Sequence, residues 1–131
     1  MNDHESAGLL RKEAGEVFRR LTGDTAAAAP WEALDETAPA LADTVVFGLA
    51  AVVGRPGLDL RTRQLVTVAV LAALGGCDGQ LAFHVGGALR NGARAEEVVE
   101  TLSQVALYAG VPRAINAVAI AHDAIAKFQN R

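Results

Sequence analysis

The sequence predicts an all-α fold, a compact bundle of about six to seven helices that associates into an oligomer. Hydrophobic residues make up 51% of the 131 residues and aromatic residues only 5%. The core therefore has to be built from Ala, Val and Leu, which is typical of closely packed helices. Several segments repeat their apolar residues at helical spacing, and none alternates as a strand does over more than a few residues. The length is that of a single domain, residues 1–131.

The first 30 residues are predicted to hold one amphipathic helix and a connector. A helix over residues 6–21 is indicated by apolar side chains at helical spacing, with charged residues between them. These side chains are Leu10, Ala14, Val17, Phe18 and Leu21. Gly23 follows the last of them and ends the helix, and the alanine-rich stretch up to Pro30 is typical of a connector.

Residues 31–57 predict a short helical turn over 31–34 and then a second helix. This helix begins near Thr37, with Pro39 in its first turn, where proline is favoured. Its apolar stripe is expected to consist of Leu41, Val45, Leu49 and Val52. The Gly-Arg-Pro-Gly run at 54–57 ends it.

Four further helices are predicted after residue 59. The first spans roughly residues 60–74 and is apolar on nearly every side, so it needs to be surrounded by other helices. Glycines at 75–76 end it, a helix over about 79–90 follows, and Asn91-Gly92 ends that one. Glu96 and Glu97 open the next helix. The last helix runs to about Phe128 and presents an alanine seam made of Ala114, Ala117, Ala121 and Ala124. Because association buries excess apolar surface, we expect an oligomer.

Composition and charge limit the classes of partner. The net charge of −3, without a basic stripe, gives no reason to expect nucleic acid. The longest apolar run has about ten residues, half of what a membrane span needs. The single cysteine, Cys77, allows no internal disulfide and fits a reducing compartment, and the polar N-terminus is unlike a secretory signal. The chain is therefore expected to be cytoplasmic. No His or Cys cluster with metal-ligand spacing occurs.

His84 is the first candidate for chemistry. It shares a helical stripe with Leu81, Val85 and Ala88, so its imidazole is expected to lie among buried aliphatic side chains. The alternative is a core histidine tied to a backbone carbonyl.

Four other residues are candidates with equally ordinary alternatives. Cys77 begins the same helix, where a thiol gains reactivity, but it could equally be a small apolar filler. Arg61 and Arg63 could hold a substrate carboxylate or be solvated surface groups. Tyr108, the only tyrosine, could donate a hydrogen bond in a pocket or pack with its hydroxyl at the rim.

The stretch from residue 55 to 128 resembles the carboxymuconolactone decarboxylase family. The resemblance lies in Arg-Pro-Gly-Leu-Asp-Leu-Arg-Thr-Arg-Gln-Leu-Val-Thr at 55–67, Leu-Ala-Ala-Leu-Gly at 71–75, and His84. It continues in Ala-Leu-Arg-Asn-Gly-Ala at 88–93, in Glu96-Glu97, and in Tyr-Ala-Gly-Val-Pro at 108–112, with Ala114, Asn116 and Ala117 after it. Residues 1–30, the predicted helix and connector, match less specifically.

The resemblance implies an all-helical, alkyl hydroperoxidase D-like fold, assembled as a homotrimer or homohexamer with pockets near the contacts between copies. It implies decarboxylation of γ-carboxymuconolactone, an intermediate of aromatic compound catabolism, without a metal or organic cofactor. The family's histidine corresponds to His84.

This chain departs from the two branches of the family at one position each. Members of the alkyl hydroperoxidase D-like branch carry a C-x-x-C-x-x-x-H segment, in which Cys77 matches the first cysteine and Gln80 replaces the second. The decarboxylase-like branch usually has glutamate after Arg63, where this chain has Gln64. An amide can orient a group by hydrogen bonding but cannot accept a proton as a carboxylate does.

Three functional hypotheses follow. The leading one is cofactor-free decarboxylation, or a related proton transfer, on a small lactone or unsaturated acid. In it, protonated His84 donates to carbon, Arg61 or Arg63 positions the anionic substrate, and Gln64 holds the lactone oxygen. The second is a one-cysteine thiol peroxidase that uses Cys77 with His84. The third is a non-catalytic protein on the same fold, which binds a small molecule or a partner.

Overall fold

The computed structural model describes all residues 1–131 and contains α-helices and no strand. The six α-helices are α1 (Asp3–Thr22), α2 (Pro39–Phe47), α3 (Leu60–Leu74), α4 (Asp78–Arg90), α5 (Ala95–Ala109) and α6 (Val111–Gln129), and a π-helical segment (Gly48–Val53) continues α2. The predicted all-α class is thereby confirmed. The chain forms two compact units, Met1–Asp59 and Leu60–Arg131.

In the first unit, α1 begins three residues before the predicted start because its N-terminus is capped. The Asn2 side chain accepts a hydrogen bond from the Glu5 backbone N–H, and the Glu5 carboxylate accepts one from the Asn2 N–H. This reciprocal pair satisfies two donors that would otherwise lack partners. The helix ends at Gly23, which adopts the left-handed conformation (φ 67°).

Two predictions for residues 31–53 are wrong. Residues 31–34 form consecutive turns instead of a helical turn, and they bury Trp31, whose ring meets that of Phe18 edge to face at 6.3 Å between centroids. The expected stripe of α2 is out of register, since Ala42 and Val46 are buried, whereas Leu41 and Val52 are half exposed. Alanine and valine occupy the packed face, whereas the expected stripe relied on two leucines, which are less buried.

The second unit is built from α3 to α6. Helix α3 packs on α4, α5 and α6, and α6 packs on α4 and α5. The predicted bounds of α3 are confirmed, and the alanine seam of α6 is buried as expected. The centre of this unit consists of fully buried aliphatic side chains on three helices, namely Val68, Val85, Val98 and Leu102.

Within the second unit, α3 is buried on one side only. Its inward row is Leu60, Gln64, Val68 and Ala72 at i+4 spacing. A second row, made of Val66, Val70 and Leu74, is 51–61% exposed. The chain by itself therefore leaves one side of α3 uncovered, and its coverage by other copies stays a prediction.

Candidate functional site

His84 lies in the middle of α4, on the side that packs into the second unit. Its helical neighbours Leu81, Val85 and Ala88 are buried, and the imidazole itself is half-buried. The predicted environment of aliphatic side chains is thus present. The ring of Phe83 meets the imidazole edge to face, at 5.1 Å between centroids.

Gln64 is the hydrogen-bonding partner of His84. Its side-chain oxygen Oε1 lies 2.7 Å from His84 Nδ1, across the contact between α3 and α4. Gln64 is only 1% exposed and is the one polar residue among the buried side chains of the protein. A buried amide needs hydrogen-bond partners, because an unsatisfied one is costly. The two residues are 20 positions apart in sequence, and the fold brings them together.

This hydrogen bond determines which ring nitrogen carries the proton. An amide oxygen only accepts hydrogen bonds, so Nδ1 of His84 is the donor and bears a hydrogen. In the neutral imidazole, Nε2 then holds the lone pair. Nε2 is therefore the nitrogen available for proton transfer with a substrate.

Burial sets the charge of His84. Desolvation lowers the pKa of its imidazole below the ordinary value, and no neighbouring charge contributes to the change. The imidazole is therefore mainly neutral at pH 7. The histidine that was expected from the sequence to be protonated is a neutral group at rest, and it has to take up a proton before it can donate one.

The two arginines of α3 have different environments. The guanidinium of Arg61 forms an ion pair with Glu97 of α5. Glu97 also accepts hydrogen bonds from the backbone N–H and from Nε of Arg94, at 3.0 and 3.2 Å. Arg63 is half-buried, and its carbonyl accepts a hydrogen bond from Thr67. Arg61 thus has a carboxylate partner within the chain before any substrate is present.

Tyr108 lies on an open groove between α3 and α5. It is 83% exposed. The groove has a volume of about 420 Å³ and a mainly apolar lining, which includes Leu65, Val66, Val70 and Val105. Neither His84 nor Gln64 lines it, so the structure does not bring Tyr108 together with them.

Cys77 occupies the corner between α3 and α4. It is half-buried, and its Sγ lies 3.7 Å from the carbonyl oxygen of Gly75. Gly75 and Gly76 both have left-handed backbones, with φ of 70° and 73°. A side chain at Gly75 would meet the guanidinium of Arg113 from α6. The thiol is therefore next to a corner whose left-handed backbone favours glycine.

Sequence reasoning missed two contacts of this unit. Glu97 was expected only to open its helix, yet it pairs with Arg61, which is 36 positions earlier. Arg113 lies against Gly75 although 38 positions separate them. No local pattern reports either contact. The one available signal was the i+4 row of α3, in which a polar Gln64 stands between apolar residues.

The structure contains no group of three or more His, Cys, Asp or Glu side chains that could hold a metal ion. No helix is both long enough and apolar enough to span a bilayer.

Comparison with known proteins identifies similar sequences. The family model described as carboxymuconolactone decarboxylase family matches residues 38–123. A 4-carboxymuconolactone decarboxylase from Acinetobacter baylyi is 40% identical over 77 residues, which are 59% of this chain and 57% of that protein. An uncharacterized 15.0 kDa protein from the nqo9-nqo10 intergenic region of Paracoccus denitrificans is 31% identical over 97 residues, 72% of each chain. The alignment thus spans little more than half the length of the Acinetobacter enzyme.

Proposed function

Because the chain belongs to the carboxymuconolactone decarboxylase family, we propose that it catalyses cofactor-free decarboxylation, or a related proton transfer, on a small lactone or unsaturated acid. The observation that carries this proposal is the hydrogen bond between Nδ1 of His84 and Oε1 of Gln64. It orients a half-buried imidazole and leaves Nε2 for a reacting carbon. The similarity to a 4-carboxymuconolactone decarboxylase supports a carboxy-lyase.

In the decarboxylation, His84 has one task. Loss of carbon dioxide from a carboxylate leaves an electron pair, which a conjugated lactone carbonyl can delocalise. The intermediate then needs a proton at carbon, and Nε2 of the protonated imidazole delivers it. Because the resting imidazole is neutral, it first takes up a proton from solvent. The rate of decarboxylation is therefore expected to fall as pH rises above the lowered pKa of His84.

The roles proposed for the other candidate residues differ in part from those expected from the sequence. Gln64 is buried and engaged with His84, so it orients the imidazole instead of holding the lactone oxygen. The substrate carboxylate is positioned by Arg61, which is held in the ion pair with Glu97, or by Arg63, two residues further along α3. Tyr108 is assigned to substrates that extend into the groove between α3 and α5.

The test is turnover of 4-carboxymuconolactone by the purified protein, measured as released carbon dioxide. General acid catalysis is worth about 10²–10⁴-fold, so His84→Ala should lower turnover by that factor. His122→Ala is the matched control, because His122 is exposed on α6 and should leave turnover unchanged. Equal turnover by His84→Ala and the wild type would remove His84 from the reaction.

The two alternative functions, a one-cysteine peroxidase and a non-catalytic binding protein, predict different results in the same set of assays. Peroxide consumption that disappears in Cys77→Ser would replace the decarboxylase by a one-cysteine peroxidase. Binding of the lactone without turnover, and equal binding by His84→Gln, would indicate a non-catalytic protein.

We also propose that the protein self-associates, as a homotrimer or homohexamer, through the exposed row of α3. The row consists of Val66, Val70 and Leu74, and it continues into the apolar groove beside Tyr108. Exposed apolar surface of this kind marks interaction sites. Val70→Asp should shift the sedimentation coefficient toward that of a monomer. Leu9→Asp is the control, a similarly exposed apolar residue on α1. A monomeric wild type would refute the proposal.

A further inference from the structure

We propose that Gln64 is a positioning residue that holds His84 as its Nδ1–H tautomer, so that His84 begins the reaction as a base and removes a proton from a carbon acid. The inference rests on the related proton transfer named in the proposed function, since it takes His84 as the group that moves the proton. For a substrate that loses no carbon dioxide, it replaces the acid-first role of His84 by a base-first role. It adds the direction of the first proton transfer and the class of substrate, an unsaturated lactone or carbonyl compound with an acidic C–H.

The first step of the argument is that Gln64 is fixed in place. It lies on the inward row of α3 between Leu60 and Val68, both of them buried, and it is 1% exposed. A side chain in a packed interior has few alternative rotamers. Its oxygen, rather than its nitrogen, is the atom 2.7 Å from Nδ1 of His84. The hydrogen bond therefore selects one tautomer.

The second step concerns the charges that surround His84. No carboxylate is bonded to the imidazole, because the position that faces Nδ1 is an amide. The helices packed on α4, and α4 itself, carry charged or titratable side chains of both signs. These are Arg61 and Arg63 on α3, Asp78 and Arg90 on α4, Glu96, Glu97, Glu100 and Tyr108 on α5, and Arg113, His122, Asp123 and Lys127 on α6. None of them contributes to the lowered pKa of His84, whose cause is burial.

A carboxylate at position 64 would favour the charged form of His84 instead of the neutral form. An acidic partner stabilises the imidazolium and raises the pKa of a histidine, whereas an amide supplies the same hydrogen bond without the charge. Gln64 thus keeps the geometry of a carboxylate–histidine pair and leaves the histidine neutral. A neutral imidazole with a free Nε2 lone pair is suited to accept a proton first.

The resulting reaction is a proton shift that needs no other reactant. Nε2 takes a proton from the carbon next to the lactone carbonyl, and the C–H electron pair enters the conjugated enolate. The imidazolium then returns the proton to the far end of that conjugated system, so the double bond moves and the formula is unchanged. The neutral imidazole is regenerated at the end of each cycle.

The tautomer is tested by nitrogen NMR on the ¹⁵N-histidine-labelled wild type, without any substrate. The His84 signals are identified by their loss in His84→Gln. We expect a protonated, pyrrole-like Nδ1 and an unprotonated, pyridine-like Nε2 above the pKa. In Gln64→Glu, the midpoint of the His84 titration should move to higher pH. The opposite tautomer in the wild type, or an unchanged midpoint in Gln64→Glu, would overturn the inference.

The direction of the first proton transfer is tested with α-angelica lactone, an unsaturated lactone that has an acidic C–H and no carboxylate to lose. In D₂O, the wild type should incorporate deuterium and shift the double bond faster as pH rises through the pKa of His84. His84→Ala should slow this exchange by about 10²–10⁴-fold, while His122→Ala leaves it unchanged.

The outcomes separate this inference from the proposed function. No His84-dependent exchange on α-angelica lactone overturns the base-first assignment. If 4-carboxymuconolactone is nevertheless decarboxylated, faster at low pH, the proposed function stands without the inference. If neither lactone reacts while the NMR shows the expected tautomer, both the proposed function and the assignment of His84 as the first base fail.

Discussion

The energetic coupling between Gln64 and His84 can be measured by a double-mutant cycle. Gln64→Leu removes the acceptor of the His84 Nδ1–H, which then lies half-buried without a partner. Leaving a buried polar group unsatisfied costs about 1–3 kcal/mol. His84→Leu likewise removes the hydrogen-bond donor of the Gln64 amide oxygen, and Gln64 is only 1% exposed. Each single variant should therefore be less stable than the wild type.

The double variant removes both groups at once. Replacing both partners of a buried hydrogen bond by apolar groups can be nearly neutral. We therefore expect Gln64→Leu/His84→Leu to be more stable than the sum of the single effects predicts, by about 1–3 kcal/mol. In a chain of this size, each kcal/mol corresponds to roughly 4 °C in Tm.

The assay is urea unfolding followed by far-ultraviolet circular dichroism, at one fixed protein concentration because association changes apparent stability. Gln129→Leu is the matched control, since Gln129 is exposed at the end of α6, away from the groove between α3 and α5. It should change stability by less than about 0.5 kcal/mol and combine additively with His84→Leu. Additivity of Gln64→Leu and His84→Leu within about 0.5 kcal/mol would refute the buried hydrogen bond.

Two further predictions concern pH and the corner between α3 and α4. The pKa of His84 is lower in the folded protein than in the unfolded chain, so its contribution to stability is present above the unfolded pKa. This contribution is lost as pH falls below the unfolded pKa, by up to about 1.4 kcal/mol per pH unit. Urea unfolding between pH 7 and 5 should show a steeper loss of stability in the wild type than in His84→Gln, and parallel curves would contradict this. Gly75→Ala should lower the free energy of unfolding by about 1–3 kcal/mol, because the backbone at Gly75 is left-handed and Arg113 lies against it. Gly79→Ala is the control and should be neutral or stabilising, because Gly79 lies within α4 with open space around it. Equal thermal stability of the two variants would show that the corner tolerates a side chain.

The sequence predicted the fold well wherever local signals sufficed. Glycines at 75–76 end α3 at the predicted residue, and Asn91-Gly92 follows the end of α4 as expected. The start of α1 was missed because Asn2 and Glu5, its capping pair, lie in a stretch so polar that it resembled a tail. The register of α2 was missed because alanine and valine, not leucine, occupy its packed face.

The candidate site was predictable only in part. Helical spacing alone placed His84 among aliphatic side chains. Its partner Gln64 was noticed as a departure from the family pattern, but the hydrogen bond depends on how α3 and α4 pack, which no local pattern specifies. The pairing of Arg61 with Glu97 has the same origin, since residues 36 positions apart meet only through the tertiary fold.

The edge-to-face contact between Trp31 and Phe18 has a consequence for optical spectroscopy. Trp31 is the only tryptophan, it is buried, and it belongs to the unit Met1–Asp59. Its fluorescence therefore reports the environment of a residue in that unit. The unit that carries His84 and Gln64 has one tyrosine, Tyr108, which is exposed and changes little in environment on unfolding. A fluorescence transition that precedes or follows the circular dichroism transition would thus show directly that the two units unfold separately.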